Sequence, residues 1–595
     1  MLRRILAAAL LYGVPALAAD DVVLKAMRDE LARSMKKLQL ETLQKPYFIA
    51  YRSVDMANCV VNASFGALVL SACEPPSGAG FRSRSMNVEV RVGDYVRDNT
   101  NFFSPLGLGG VLRLNNGLVP VPLEDNYDEL RRQLWLATDS AYKNALDIYA
   151  KKKAALENRT RTDDAPDFSN EQPFTFEDSA PAANWNPAEA EALVKTLSAV
   201  FREAPGIDNS QVRLTANTWF TRYVNSEGTS FLRGATFASL AIGADTQAVD
   251  GIPLSDVEVM HARSFHDLPP RDEILKRIRA LESRLENLRK APLLERYTGP
   301  VLFEGQAAGE LMMQSLGSAL VGVPRVVVDD LRFERAFNAN GGFADKIGAR
   351  VLPDFMSVTD EPAARERQGT PLFGGYPVDD DGVKAGRTLL VDKGILKTLL
   401  HSRALIPDTT QSTGNHRGTG VMPSNLFFTT DKRLPAEELK AELLRRAKQR
   451  GKEYGVVVRR MGNPTLALTL GRTRTIIATG GSGPGSIDVE PLVEAYKVFP
   501  DGHEELVRNL SVNGLTLGAF KDILAVSDIP STYTAPVRVI IRAPVMATGF
   551  LAPGGPDVVS VTVPSLLFED MALQRPTGDI PNLPVTKHPY FEKAK

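Results

Sequence analysis

The spacing of apolar positions divides the chain into a strand-rich opening, a helical middle and a second strand-rich half. Tyr47-Phe48-Ile49-Ala50-Tyr51, the run from Val60 to Leu70, and Met86 to Val92 read as strands. The last alternates with period two, as a half-buried antiparallel strand does. Residues 124–158 predict a helix with Leu130, Leu134, Ala137, Ala141, Ala145 and Ile148 on one stripe. A polar, proline-bearing stretch near 160–185 follows and reads as a linker. Asn186-Pro187-Ala188-Glu189 then opens a helix, with an Asn cap, Pro in the first turn and an acid near the positive end. Leu193, Leu197, Val200 and Phe201 give it a buried face.

Pro269-Pro270 precedes a charged helix over 271–291, with Ile274, Ile278, Leu281, Leu285 and Leu288 at heptad-like spacing. That stripe fits packing on its own domain or a dimer contact. Pro292 ends the helix and places a boundary near 295. Beyond it strands and Gly-rich turns dominate, with helices expected near 305–320, 435–450 and 514–525. The pattern predicts an α+β protein: a mixed N-terminal domain over 19–295 and a β-rich C-terminal domain over 296–595. Strand–helix alternation of the doubly wound kind is missing from both halves.

Composition narrows the function classes. Hydrophobic residues make up 43% and charged residues 24% of 595, which excludes a disordered chain. Lys plus Arg is 70 against 71 Asp plus Glu, so no global field draws the chain to nucleic acid. Arg3 and Arg4, a short apolar run, and Ala16 and Ala18 ahead of Asp20 resemble a cleavable signal peptide over 1–18. The run is shorter than the about 20 residues a membrane span needs, and no later apolar stretch supplies one. The expectation is an exported protein, periplasmic or secreted, with its mature end near Ala19. Cys59 and Cys73 are the only cysteines, and in an oxidising compartment they are either bridged or two buried thiols.

Familiar catalytic spacings are absent: no H-E-x-x-H, no G-x-S-x-G and no Walker loop. Gly480 to Gly485 precedes a strand-like segment rather than a helix, so it reads as a flexible connection and not a phosphate cradle. Val378-Asp379-Asp380-Asp381-Gly382-Val383 lacks the later ligands of a calcium loop and reads as an acidic surface turn.

Several motifs together resemble the TldD/PmbA family of metallopeptidase-like proteins. They are Asp379 to Val383, Arg387 to Leu396, Ser412-Thr413-Gly414-Asn415, Val358 to Pro362, Pro423-Ser424-Asn425-Leu426 and Val498 to Gly502. The order covers about 300–530, and Val224-Asn225-Ser226-Glu227-Gly228 adds a looser match upstream. The resemblance implies a two-domain subunit assembled as a dimer, with active members cutting extended, unstructured peptides in an enclosed chamber.

The active branch carries H-E-A-x-G-H on a helix, with a C-terminal Cys as third ligand. This chain reads Gly305-Gln306-Ala307-Ala308-Gly309-Glu310 there. Gly305 has no donor, Gln306 cannot take a proton from water, and Glu310 alone does not hold a hydrolytic zinc. Residues 267–400 contain no His, and no Cys follows Cys73. The expected helix therefore packs Ala307, Ala308, Leu311, Met312 and Leu316 into a core and carries a degenerate site, as in the family's PmbA-like branch.

Three functions remain open. One is a subunit that binds extended or unfolded peptides, homodimeric or paired with another TldD/PmbA-like chain, with no cofactor of its own. Another is a zinc peptidase using unconventional ligands from Glu304, Glu310, His401 and His416. The third is an exported binding or scaffold protein.

Overall fold

The computed structural model describes residues 21–73, 83–103, 119–157, 165–334, 338, 342–418, 420–463, 485–508, 510–536, 554–575, 580 and 582–592. The predicted signal segment 1–18 and the glycines at 480 and 481 lie outside these residues. The fold is α+β, built on two large sheets.

The first sheet is antiparallel through its long strands β1 (Pro46–Ser64), β2 (Ala67–Cys73), β3 (Ser83–Val92), β4 (Asn209–Asn225), β5 (Ser230–Gln247) and β6 (Pro253–Ala262). Its order runs β3-β1-β4-β5, with β2 added to β1 and β6 to β5. Period-two geometry sorts the side chains into two faces. Ile49, Tyr51, Cys59, Val61, Leu214 and Leu240 face a layer of four helices, namely α1 (Val22–Lys37), α2 (Tyr127–Glu157), α3 (Pro187–Ala199) and α4 (Arg271–Lys290). Phe48, Val54, Trp219, Tyr223, Phe231 and Phe237 point the other way and meet Val378 and Val558 of the second half. Both faces of this sheet are therefore covered.

Helix α4 follows its sequence pattern closely. Ile274, Ile278, Leu281, Leu285 and Leu288 are all buried in the core shared with β1, β4 and β5. The stripe is spent on its own sheet, so the dimer-contact reading of these five residues is not what the fold uses them for. Each such burial is worth about 1.5–3 kcal/mol relative to exposure. Asn186 caps α3 by accepting from the N–H of Ala188, with Pro187 in the first turn, as its sequence predicts.

The second sheet contains β7 (Arg296–Phe303), β8 (Met356–Asp360), β9 (Thr388–Asp392), β10 (Asn425–Thr430), β11 (Gly455–Met461), β12 (Leu492–Val498), β13 (Ile523–Pro536) and β14 (Val558–Gln574). Its order is β9-β8-β10-β14-β7-β11-β12, with β13 on β14. Helix α5 (Gln306–Ala319) buries Ala307, Ala308, Leu311, Met312 and Leu316 against this sheet. Helix α6 (Ala436–Gln449) covers Leu302, Val457 and Leu567 through Leu439 and Leu443. No described helix is long and apolar enough to cross a membrane.

Three expectations need correction. The run from Val60 to Leu70 is not one strand: it folds at Phe65-Gly66, where Gly66 adopts φ +79°, into the β1–β2 hairpin. Cys59 and Cys73 sit opposite one another in that hairpin and are disulfide-bonded. Residues 514–525 do not form an α-helix; a 3-10 turn over Leu517–Asp522 leads straight into β13. The segment expected to be a polar linker near 160–185 is partly interior. Ala165, Asp167, Phe168 and Ser169 are buried, and Lys152 of α2 donates to Asp167 at 2.6 Å and to the Thr100 carbonyl at 2.6 Å. An ion pair of that kind pins the segment to the domain.

Candidate functional site

Gly305 closes the N-terminal end of α5 with φ +56°, donating its N–H to Ser565 Oγ and accepting from Ser531 Oγ. One turn further on, Gln306 Nε2 donates to Glu310 Oε1 at 2.7 Å, and the Met461 N–H donates to Glu310 Oε2 at 2.6 Å. Burial pushes the Glu310 carboxyl up to about 8, against the opposing pull of Arg460, Gln306 and the Met461 N–H. Arg460 itself bridges to Asp256 and Glu258 on β6, where Arg284 of α4 joins the same two carboxylates. The helix start thus lies beside a charged seam between the two sheets.

These residues do not suit a hydrolytic zinc. Gly305 offers no donor, Gln306 is neutral, and both Glu310 oxygens already accept hydrogen bonds. Nor do the alternative ligands gather. Glu304 pairs with Arg459 at 2.7 Å. His401 is buried with its ring nitrogens each 2.9 Å from a main-chain carbonyl, those of Leu399 and Gln411. His416 belongs to a different cluster. Among the described residues no three His, Cys, Asp or Glu side chains group as a metal site.

The acidic turn is where sequence and structure differ most. Asp379 and Asp380 are 0% and 5% exposed, so the expected surface turn is an interior junction. Asp380 receives Arg52 of β1 at 2.6 Å, Arg233 of β5 at 2.5 Å, and the Gly418 N–H at 2.7 Å. Burial raises its carboxyl, but the two guanidiniums overcome that and hold it well below the usual range. Asp381 pairs with His416 at 2.6 Å; despite its burial the imidazole is raised to about 9 by the surrounding carboxylates. Asp379 accepts from the N–H groups of Asp381, Val383 and His416, and burial together with the Asp381 charge pushes it up.

Further residues converge on the same junction. Arg403 makes a bidentate pair with Glu227 at 2.6 and 2.7 Å and donates to the Ser169 carbonyl. Its guanidinium lies over Phe168 and Phe48. Asn225 holds the Glu227 turn by accepting from the N–H groups of Glu227 and Thr229. Asp360, fully buried, accepts from Asn415 Nδ2, Ser424 N–H and Ser424 Oγ, and burial raises it to about 6. Arg52, Arg233, Arg403 and Arg417 were not singled out from sequence. A readable signal did exist for one of them: Arg233 stands among Phe231, Leu232, Gly234 and Ala235 in β5.

Next to this junction is a cavity of about 370 Å³, walled by β5, by residues 372–377 and by Gly554 to Asp557.

A model of the PmbA/TldA metallopeptidase C-terminal domain matches residues 296–469. Over those residues the chain is similar to the TldD/PmbA family. A metalloprotease of Methanocaldococcus jannaschii is 37% identical over 92 residues, 14% of this chain and 19% of that protein. A metalloprotease of Archaeoglobus fulgidus is 33% identical over 76 residues, 13% of this chain and 16% of the relative. The matched part thus spans less than a fifth of these relatives' length. TldE of Thermococcus kodakarensis has the same fold, with TM-score 0.55 at 13% identity over 92% of this chain and 99% of its own. Several residues of the motifs read from sequence, among them Glu227, Asp360, Asp379, Asp380, Asp381, Asn415 and Ser424, lie in or beside the buried domain junction.

Proposed function

We propose that this chain is a non-catalytic TldD/PmbA-family subunit, exported to the periplasm or beyond, that holds extended polypeptide and relies on a partner subunit for hydrolysis. The observation that carries this reading is the Gln306–Glu310 hydrogen bond. It occupies the helix positions where the family's active branch has its catalytic Glu and second His ligand, and Met461 closes the remaining oxygen. Export is supported by the Arg3–Arg4, apolar and Ala16-x-Ala18 pattern and by the Cys59–Cys73 bridge. Strand-rich backbone is a natural partner for extended chains, since main-chain hydrogen bonds give affinity with little demand on sequence.

The test is metal analysis of the dialysed protein, followed by peptidase assay on an unfolded polypeptide, alone and mixed with an active TldD/PmbA-family chain. The expected result is no stoichiometric zinc and no hydrolysis alone. Near-unit zinc, with hydrolysis lost in Glu310→Gln, would overturn the reading. A binding titration with folded and unfolded forms of one polypeptide tests the remainder; equal affinity for both would remove the extended-chain part.

A further inference from the structure

The cavity beside the acidic junction has an uneven balance of charge. Arg233, Arg263, Arg365 and Arg417 line it against only Asp380 and Asp557, four cations to two anions. Asp380 is already committed to Arg52 and Arg233. Arg417 spends its N–H groups on the carbonyls of Pro423, Pro556 and Val558, and its charge acts on Asp557 and Asp360. Arg263 and Arg365 stand exposed at the mouth, and among the described residues neither has an ion-pair partner. Arg263 instead donates to the Arg365 carbonyl at 3.0 Å, which holds the two cationic side chains in one neighbourhood. Partial burial and the Arg263 charge depress the Arg365 guanidinium, against a weaker opposing pull from Asp178.

The remaining wall is apolar. Phe237 and Phe373 meet edge to face at 5.9 Å, and Leu372 and Tyr376 complete the surface. The volume falls within the roughly 300–1,000 Å³ common for small-molecule sites, which pair an apolar lining with a few fixed polar groups. We propose that this cavity binds an anion carried on a small apolar body, with Arg263 and Arg365 holding the charge and Phe237, Leu372, Phe373 and Tyr376 packing the body. The ligand class is an arylalkyl or branched aliphatic carboxylate or phosphate. The site needs neither a metal nor a partner subunit, so it stands apart from the peptide-handling reading.

Calorimetric titration of the full chain with 3-phenylpropionate, 3-phenylpropanamide and phenyl phosphate tests it. The carboxylate is expected to bind at least about tenfold more tightly than the amide, because charge-assisted pairs to guanidinium are the stronger kind. Arg263→Gln with Arg365→Gln should bring the carboxylate down to the amide's affinity and leave the amide unchanged. Both arginines are exposed, so folding should survive; a thermal melt checks this, and Arg271→Gln with Arg279→Gln on α4 serves as a charge-matched control with no effect. The ranking of phenyl phosphate against phenylpropionate tells which anion the site prefers, and either order supports the proposal. Equal binding of acid and amide, an unmoved acid affinity in the double variant, or no binding of any of the three at millimolar concentration would overturn it.

Discussion

Asp381 Oδ1 lies 2.6 Å from His416 Nδ1, so a carboxylate and an imidazolium share a hydrogen bond inside the domain junction. His416 is raised from 6.5 to about 9, so its contribution is complete below about 6.5 and is lost as pH climbs through about 9. Glu310, raised to about 8, and Asp360, raised to about 6, favour the folded state when protonated, as does Asp379. Their cost builds up earlier, from the ordinary carboxylate range up to about 6 for Asp360 and about 8 for Glu310. Asp380 and Asp381 are lowered and act oppositely, losing their contribution as pH falls below the ordinary carboxylate range. Stability should therefore peak on the acid side of neutrality, at about pH 5. Melting temperatures across pH 4–9 check this; a curve flat or rising from 5.5 to 9 contradicts it.

Asp380→Asn should be severe. It leaves Arg52 and Arg233 buried around a neutral amide, and breaking one side of a buried ion cluster costs about 3–5 kcal/mol. Arg332→Ala, which removes a pair whose arginine is 86% exposed, should change stability by less than about 1 kcal/mol. Denaturant titration of both variants measures the contrast. Equal effects would mean the junction network is not interior.

Glu310→Gln removes a carboxyl that is protonated in both the folded and the unfolded chain below its ordinary value of 4.5, so the melting temperature at about pH 4 should barely move. At pH 9 the variant should melt above the wild type, because it no longer has to ionise inside the core. A variant that melts below wild type at pH 9 would show that the carboxylate form is the stabilising one.

The triple variant Gly305→His, Gln306→Glu and Glu310→His should remain inactive. Space for a side chain exists at Gly305, where an added Cβ meets nothing within 4 Å, although φ +56° strains any residue other than glycine there. What is missing is a third ligand, since no Cys follows Cys73. Peptidase assay with added zinc decides it, and strong hydrolysis would reveal another donor.

Removing the hairpin bridge by Cys59→Ala with Cys73→Ala should cost about 2–4 kcal/mol, the usual worth of a loop of this size. Equilibrium unfolding of the variant against the oxidised parent reads it.

Helices were the legible part of this chain because their signals are local. The Asn186 cap, the Ile274 to Leu288 stripe and the apolar face from Ala307 to Leu316 each lie within a few turns of sequence. The 514–525 stretch misled because Leu515, Phe520 and Ile523 are buried in a core that a 3-10 turn and a strand fill equally well. The acidic turn misled for a different reason. Three consecutive aspartates belong on a surface unless something neutralises them, and the neutralising groups, Arg52 and Arg233, come from strands about 330 and 150 positions away. The Gly305, Gln306 and Glu310 helix start was legible residue by residue, whereas the hydrogen bond from Met461 to Glu310 comes from β11 and is not.

The doubly covered first sheet also bears on how such a chain can change over generations. Its inner face carries Arg52 and Arg233, whose counter-charge is encoded in the other half. A recombinant that joins one half of this protein to the other half of a relative inherits cations without their anion, or an anion without its cations. Such hybrids should be recovered only when both sides of the junction are exchanged together, which ties the two halves into a single heritable unit.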